Sequence, residues 1–409
     1  MSDYRGLLER LHQAAIDAVA GRTAVARALA ENRVPSGPLH VVAVGKAAAA
    51  MLHGAVDVRG DEIVAALLIT REGYDDPSLA QRLSVAVHTA PHPVPDERSL
   101  VAGDQLVEFI QQAPADAHFL ILVSGGASSL VERLPGRADA SALAALNAEL
   151  LASGRDIGQM NRLRKAVSTI KGGRLARWLM GRRTDVLLIS DVPGDDPAVI
   201  GSGLLFADDQ PADPAEVDAV CPPGLSPADP APSPDDPCFT CVHGQIIASN
   251  ATALEAVKAT AEADGWRVTT CPDRLHGEAT TLGRTLAQVL VDGPPGLTVW
   301  GGEPTVSLPE NPGRGGRMQA FALAAATVLQ HRAAWLLAAG TDGADGPGED
   351  AGAIVDGASI DRGVAQHWDA ETALRQADAG GFLRASGDLL HTGATGTNVM
   401  DIVIGLKPD

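Results

Sequence analysis

A chain of 409 residues is longer than one core usually supports, so two domains are expected, and a hydrophobic content of 45% can supply both. Aromatic residues make up only 3%, so the interior must be built from Ala, Val, Leu and Ile. A formal net charge of −19 argues against nucleic acid and anionic membrane as partners, because their phosphates would be repelled, but local cations could still hold a small phosphorylated ligand.

Residues 3–31 read as an amphipathic helix with Leu7, Leu8, Leu11, Ala15 and Val19 on one face. A strand over 41–44 runs into Gly45-Lys46, and a helix opens at Ala47. Strand 63–70 and a turn at Gly73 follow, then strand 84–88, which leads into Pro91-His92-Pro93-Val94-Pro95-Asp96. A helix with Asp96 or Ser99 near its start comes next, then strand 119–123, helices over 140–153 and 161–180, and strand 185–190. This alternation predicts a mostly parallel sheet covered on both faces. Residues 207–237, dense in Pro, Asp and Ala, have no apolar period and read as a solvated connector. The main boundary is placed there, giving an N-terminal domain over 1–237, connector included, and a C-terminal domain over 238–409. Alternation resumes with strand 245–248, helix 251–264, strand 266–270, helix 277–291 and strand 297–300. After glycines in 313–316 come helix 317–331, strand 333–338 and a terminal strand 402–404. Periodicity cannot assign that last strand to either domain.

Residues 1–10 are polar and charged, so no signal peptide is expected, and no apolar run reaches the roughly 18 residues a membrane span needs. Of four cysteines, Cys238 and Cys241 form a C-x-x-C, but the spacings to Cys221 and Cys271 match no standard zinc finger. Scattered free thiols in the cytoplasm are the expectation.

Five apolar strands end in glycines joined to charged or hydroxylated residues, and open α/β sheets bind ligands beyond the carboxyl ends of their strands. A shared anionic ligand follows from the repetition. Gly45-Lys46 places an ammonium near a helix N-terminus, where backbone N–H groups and the helix dipole also favour anions. It is neither a Walker A loop nor a dinucleotide fingerprint, because the required glycines are missing and Ala47 replaces the hydroxyl residue. Ser124-Gly125-Gly126-Ala127-Ser128-Ser129 reads as a nest of N–H groups and hydroxyls. The stretch from Asn161 through Arg162, Arg164, Lys165 and Lys171-Gly172-Gly173-Arg174 concentrates cations in an acidic chain. It is either a solvated basic face or a site for carboxylate or phosphate. Asp191, Asp195 and Asp196 could hold Mg²⁺ or take a proton from a hydroxyl, Glu303 and Asp342 are alternative metal ligands, and for each the alternative is a solvated loop carboxylate or a helix cap. Gly315 and Gly316 precede Arg317, which opens a helix and could neutralise a phosphoryl group in flight. Thr341 sits at a strand end, and Thr397 and Asn398 lie in a late turn of hydroxyls.

As an ordered set these motifs resemble the glycerate 2-kinase family, whose C-terminal part is called MOFRL. The resemblance rests on Ala43-Val44-Gly45-Lys46-Ala47-Ala48, Pro91 to Asp96, Ser124 to Ser128, Asn161 to Lys165 and Lys171 to Leu175. It extends through Ser190-Asp191-Val192-Pro193-Gly194-Asp195-Asp196-Pro197, Gly301 to Val306, Gly313 to Arg317, Gly340 to Gly343 and Thr392 to Asn398. It implies two α/β domains, a larger N-terminal Rossmann-like doubly wound sheet and a smaller C-terminal α/β (MOFRL) domain, with the active site in the cleft they form. It implies ATP- and Mg²⁺-dependent phosphorylation of D-glycerate at its 2-hydroxyl, with a homodimer as the assembly to test. Carried over, Lys46 and Arg317 would stabilise the transferring phosphoryl group, and Asp191 would be the acid–base or metal-linked residue. Gly45, Ser124, Gly125, Gly126, Ala127, Ser128, Asn161, Arg164, Lys171, Gly172, Gly315, Gly316, Thr341, Thr397 and Asn398 would contact substrate or nucleotide, with Asp191, Glu303 and Asp342 on the metal. The chain departs from the family pattern at Met318, Ala320, Ala394 and Met400. An NAD(P)H-dependent hydroxypyruvate reductase is the alternative, though no dinucleotide fingerprint follows any strand. A non-catalytic small-acid binding protein is a third reading.

Overall fold

The computed structural model describes residues 3–31, 33–136, 138–271 and 274–409. The chain divides into two compact units, Gly21–Ile247, and Met1–Ala20 together with Ala248–Asp409.

The first unit is built on six strands: β1 (Leu39–Val44), β2 (Ile63–Arg71), β3 (Val85–Ala90), β4 (His118–Val123), β5 (Thr184–Ile189) and β6 (Val242–Ala248). Their order is β3-β2-β1-β4-β5-β6, and the β3–β2, β2–β1, β1–β4 and β4–β5 pairs are parallel. Such strands are buried on both faces, which is why β1, β4 and β5 read as continuous Val, Leu and Ile rather than alternating polar and apolar residues. Phe119, Ile121, Leu67 and Leu106 anchor one core of this unit. The chain moves outward in opposite directions from β1 and β4, so the topological switch point lies between these two strands. The helix Glu97–Gln112 starts at Asp96, which forms a reciprocal capping box with Ser99.

Three expectations change here. The helix expected over 3–31 breaks at Ala20, whose ψ of 130° is extended, giving Tyr4–Val19 and Gly21–Ala30 in different units. The helix expected over 161–180 becomes Ile157–Ala166 and Leu175–Leu179, parted by Gly172 and Gly173 at φ of 59° and 81°, conformations that glycine adopts without strain. Most consequentially, 207–237 is not a solvated connector. A helix, Pro214–Val220, forms inside it with Asp213 as its cap, and Val217, Val220 and Leu225 are buried against Leu143, Leu146 and Leu163. Burying each of those side chains contributes about 1.5–3 kcal/mol, enough to fold a segment whose composition looks like a linker. Arg174 and Arg177 donate to the Asp229 and Pro230 carbonyls at 2.8 and 2.9 Å, fixing its far half. The sequence boundary after 237 falls short of the division at Ile247, because β6 joins the first sheet beside β5.

The second unit contains β7 (Val268–Thr270), β8 (Gly296–Gly302), β9 (Trp335–Gly340), β10 (Gly352–Asp356), β11 (Leu389–Leu390) and β12 (Asp401–Lys407), in the order β11-β10-β9-β12-β8-β7. The terminal strand β12 sits in the middle, antiparallel to both β8 and β9. Its first residue, Asp401, is therefore level with Gly302 at the end of β8 and Gly340 at the end of β9. The helix Arg317–Leu329 covers the sheet with Met318, Phe321, Leu323 and Leu329 buried. The apolar face of Tyr4–Val19 is buried as its spacing requires. Among the described residues no helix is long and apolar enough to cross a membrane, and no disulfide joins the four cysteines.

Candidate active site

The turns after β1 and β4 lie side by side at the switch point, and the β5 turn follows on the next parallel strand, so three of the sequence motifs lie along the carboxyl edge of the first sheet. After β1, Gly45 has a φ of 130°, and a Cβ there would stand 2.2 Å from Ser124 Oγ, so only glycine fits. The contact ties the two turns together: the Lys46 N–H donates to the Gly125 carbonyl at 2.9 Å, and the Ala47 N–H donates to Ser124 Oγ at 3.1 Å. The helix Ala48–Arg59 then begins with no side-chain cap. A Cβ on Gly126 would meet His92 Cδ2 at 2.9 Å and Lys46 Cγ at 3.2 Å, which places the lysine stem and the imidazole over one glycine. His92 is thus a candidate functional residue that the motif 91–96 contained but charge and spacing did not single out. Lys46, Gly126, Ser128 and Asp191 are partly exposed.

Other expected binding residues turn inward. Ser124, Gly125 and Ala127 are buried, with the Ser124 hydroxyl and Gly125 carbonyl already engaged by the Lys46 turn. Ser128 Oγ lies 2.7 Å from Ser202 Oγ. Lys171 is 3% exposed, and its ammonium donates to Glu132 Oε2 and to the Ser128 carbonyl, both at 2.6 Å. It is a buried support beneath the Ser124–Ser129 turn, its charge matched inside the protein by Glu132. Gly172 gives its N–H to the Ser202 carbonyl at 3.0 Å, and Arg164 binds Asn147 at 2.8 Å and Asn161 at 3.2 Å. The basic stretch is mostly internal framework. Only Arg162 in it makes no hydrogen bond or ion pair among the described residues, while half-buried Asn161 lines a cavity.

In the second unit the centre is Arg317. Its Nε and one terminal nitrogen donate to Asp401 at 2.6 and 3.1 Å, and its other terminal nitrogen pairs with Glu303 at 3.0 Å. Complete burial pushes the Asp401 carboxyl up to about 7, with Arg317 pulling the other way. Burial alone would lower the guanidinium, but its bonds to Asp401 prevail and hold it above its ordinary range. Asp345, also buried, accepts from the N–H groups of Met318 and Gln319 at 3.1 and 2.7 Å. The N-terminus of the Arg317 helix is therefore already filled by a protein carboxylate. Sequence reading passed over both Asp401 and Asp345. An acid heading an apolar run, as in Asp401-Ile402-Val403-Ile404, was the available signal for the first.

Gly315 and Gly316 are packing glycines: a Cβ on Gly316 would meet Asp345 Oδ1 at 2.3 Å, and one on Gly315 the Gly380 nitrogen at 2.8 Å. Thr341 is buried and donates to the Met400 carbonyl at 2.6 Å, and Thr397 donates to the Val19 carbonyl at 2.7 Å. Both hydroxyls are engaged by the backbone. Asn398 accepts from the Met400 N–H at 3.3 Å and stays partly exposed. Asp342 caps its own turn through the Ala344 N–H at 3.2 Å and is also partly exposed. Met318 and Ala320 point into the core, so those departures change packing and leave the bonds to Asp345 intact. Met400 stands at a φ of 69°, a left-handed conformation more natural to Asn.

Among the described residues no three acids, histidines or cysteines are gathered as a metal cage. Mg²⁺ commonly needs only one or two carboxylates when it arrives with phosphates, so the oxygen donors present still suit it.

Comparison with known proteins gives two separate family matches along the chain. A domain of unknown function, DUF4147, matches residues 7–220, and the MOFRL family matches 296–401. The chain is 37% identical over 415 residues to a putative hydroxypyruvate reductase of Agrobacterium vitis, covering 97% of this chain and 93% of that protein. It is 33% identical over 381 residues to the D-glycerate 2-kinase of Thermotoga maritima, covering 90% of each. The crystal structure of glycerate kinase from Thermotoga maritima superimposes with a TM-score of 0.87 at 31% identity, covering 100% of both chains.

Proposed function

We propose that this chain, which belongs to the glycerate kinase family with its MOFRL C-terminal part, transfers the γ-phosphoryl group of ATP to the 2-hydroxyl of D-glycerate. The observation that carries the reading is the junction of the Lys46 and Ser124–Ser129 turns at the switch point. There an uncapped helix start, an ammonium and a glycine-backed turn converge, as an anionic phosphoryl donor requires. The similar protein named a hydroxypyruvate reductase would need a nicotinamide site, and no dinucleotide fingerprint follows β1 or any other strand.

In the reaction the 2-hydroxyl oxygen forms a bond to the γ-phosphorus as the bond to the ADP oxygen breaks, and the hydroxyl proton leaves to a base. Asp191, at the end of β5, is proposed to take that proton or to hold the metal. Lys46 balances charge on the equatorial phosphoryl oxygens, and Arg317 does the same with the N–H groups that Asp401 and Glu303 leave over. Asp401 is a positioning residue: it fixes the plane of the guanidinium and touches no substrate. Mg²⁺, held through Asp191 or through Glu303 and Asp342, would neutralise the β- and γ-phosphate oxygens when bound.

A two-arm assay tests this. Release of ADP from Mg-ATP that depends on D-glycerate is the expected result. Oxidation of NADH or NADPH by hydroxypyruvate, with no ADP formed, would overturn it and return Lys46 and Arg317 to carboxylate binding.

A further inference from the structure

We propose that the proline-rich segment over 208–234 forms the pocket for the nucleoside end of the phosphoryl donor, an inference that rests on the kinase reading. Two cavities adjoin on the Gly21–Ile247 unit. The larger, about 680 Å³, is walled by the helix Pro214–Val220 and by Pro227, Pro230, Pro232 and Pro234, with Val217 and Ala231 facing it. Its volume is that of a small-molecule site, and proline rings present flat, dry surfaces to a planar base. The smaller, about 270 Å³, is polar, and Asn161 and Ser202 line it. Arg162, Lys165, Asp208 and Asp209 line both.

The chemistry along this path changes in the order a nucleoside triphosphate demands. Apolar walls suit the base. At the shared rim, the exposed carboxylate of Asp209 can accept from ribose hydroxyls, as acids do in other nucleotide sites. Arg162 at the same rim has no protein partner among the described residues and suits the first phosphate. Beyond it, Ser202 Oγ in the polar cavity lies 2.7 Å from Ser128 Oγ, on the turn whose Gly126 backs the Lys46 stem. The triphosphate thus points from the proline pocket towards Lys46.

The pocket wall is also a built structure. Lys165 pairs with Asp208 at 2.5 Å, the Ala228 N–H donates to the Ala166 carbonyl at 2.9 Å, and Arg174 and Arg177 hold the carbonyls at 229 and 230. A wall pinned in this way loses little freedom when a ligand enters. None of these bonds would be needed if 207–237 merely joined two domains.

Photolabelling of the full chain with 8-azido-ATP, followed by peptide mapping, tests the placement. ATP-protected label within 208–234 is expected. Protected label confined to other segments would overturn the pocket while leaving the kinase reading standing, and a lack of any protected label would overturn both. Independently, Ala231→Trp should fill the cavity and weaken ADP binding at least tenfold while tripolyphosphate binds as before. Unchanged ADP affinity in that variant would refute the assignment.

Discussion

The Lys46 turn and the Arg317 turn look alike in sequence, each a glycine followed by a cation at a helix start, but their surroundings are opposite. The helix after Lys46 has no capping carboxylate, and the Ala47 N–H at its start donates to Ser124 Oγ instead. The helix that Arg317 opens is capped by buried Asp345, and the guanidinium is gripped by Asp401 and Glu303. One turn therefore keeps its helix start without a capping carboxylate. The other offers a rigid cation set among acids, which suits a phosphate that arrives with its metal ion better than a naked one. A helix N-terminus can take a ligand's anion only where the protein has not already capped it with a carboxylate of its own.

The largest expected effect falls in the first region, at the end of β5. Asp191→Asn should reduce kcat by about 10³-fold if the carboxylate is the base. If it is a metal ligand instead, activity should return as Mg²⁺ is raised, so titrating the variant against Mg²⁺ separates the two roles. Wild-type kinetics in the variant would remove Asp191 from the mechanism.

Next come the two cations, which put the comparison itself at risk. Lys46→Ala and Arg317→Ala should each lower kcat by about 10²-fold, the scale seen when a preorganised charge-stabilising donor is lost. Their stabilities should diverge. Removing Arg317 strands Asp401 and costs about 3 kcal/mol, whereas removing Lys46, which is partly exposed, should lower the melting temperature less. Equal melting curves for the two variants would show that the acids around Arg317 do not define its turn.

Asp401→Asn should have a smaller effect, about tenfold on kcat, because an amide can still accept from Arg317 but carries no charge. The pH profile distinguishes positioning from simple support. Below about 7 the wild-type carboxyl protonates and its grip on Arg317 loosens, so activity should fall on the acid side. The Asn variant should lack that limb, and an unchanged limb would assign the titration to another group.

The first sheet could be read from the sequence because continuous Val, Leu and Ile runs in β1, β4 and β5 can be little else than buried parallel strands. Lys46, Asp191 and Arg317 stood out because they follow those strands or open helices. What could not be read was what each polar group already faces. Lys171 and Thr341 have the right chemistry for ligands, and only the fold reveals Glu132 against one and the Met400 carbonyl against the other. Asp401 was hidden for a related reason: β12 enters the centre of its sheet from the far end of the chain, and register rather than local spacing sets it level with Gly302 and Gly340. The segment 207–237 misled through composition, since three buried side chains and two arginines hold what its prolines seemed to leave loose.

The smallest effect at neutral pH is expected from a residue outside either turn. His12, on the helix Tyr4–Val19, is buried and its Nε2 has no hydrogen-bond partner, so burial lowers its pKa to about 4 from 6.5. The unfolded chain therefore binds this proton first. The neutral ring's contribution to stability is complete above about 6.5 and is lost as pH falls towards 4, a change of about 3 kcal/mol for the full shift. His12→Leu keeps the apolar face and removes the titration. It should leave turnover at pH 7 unchanged and flatten the fall in melting temperature between pH 7 and pH 5. If the variant melts with the same acid dependence as the wild type, acid sensitivity belongs to other groups, with the carboxylates around Arg317 the first to examine.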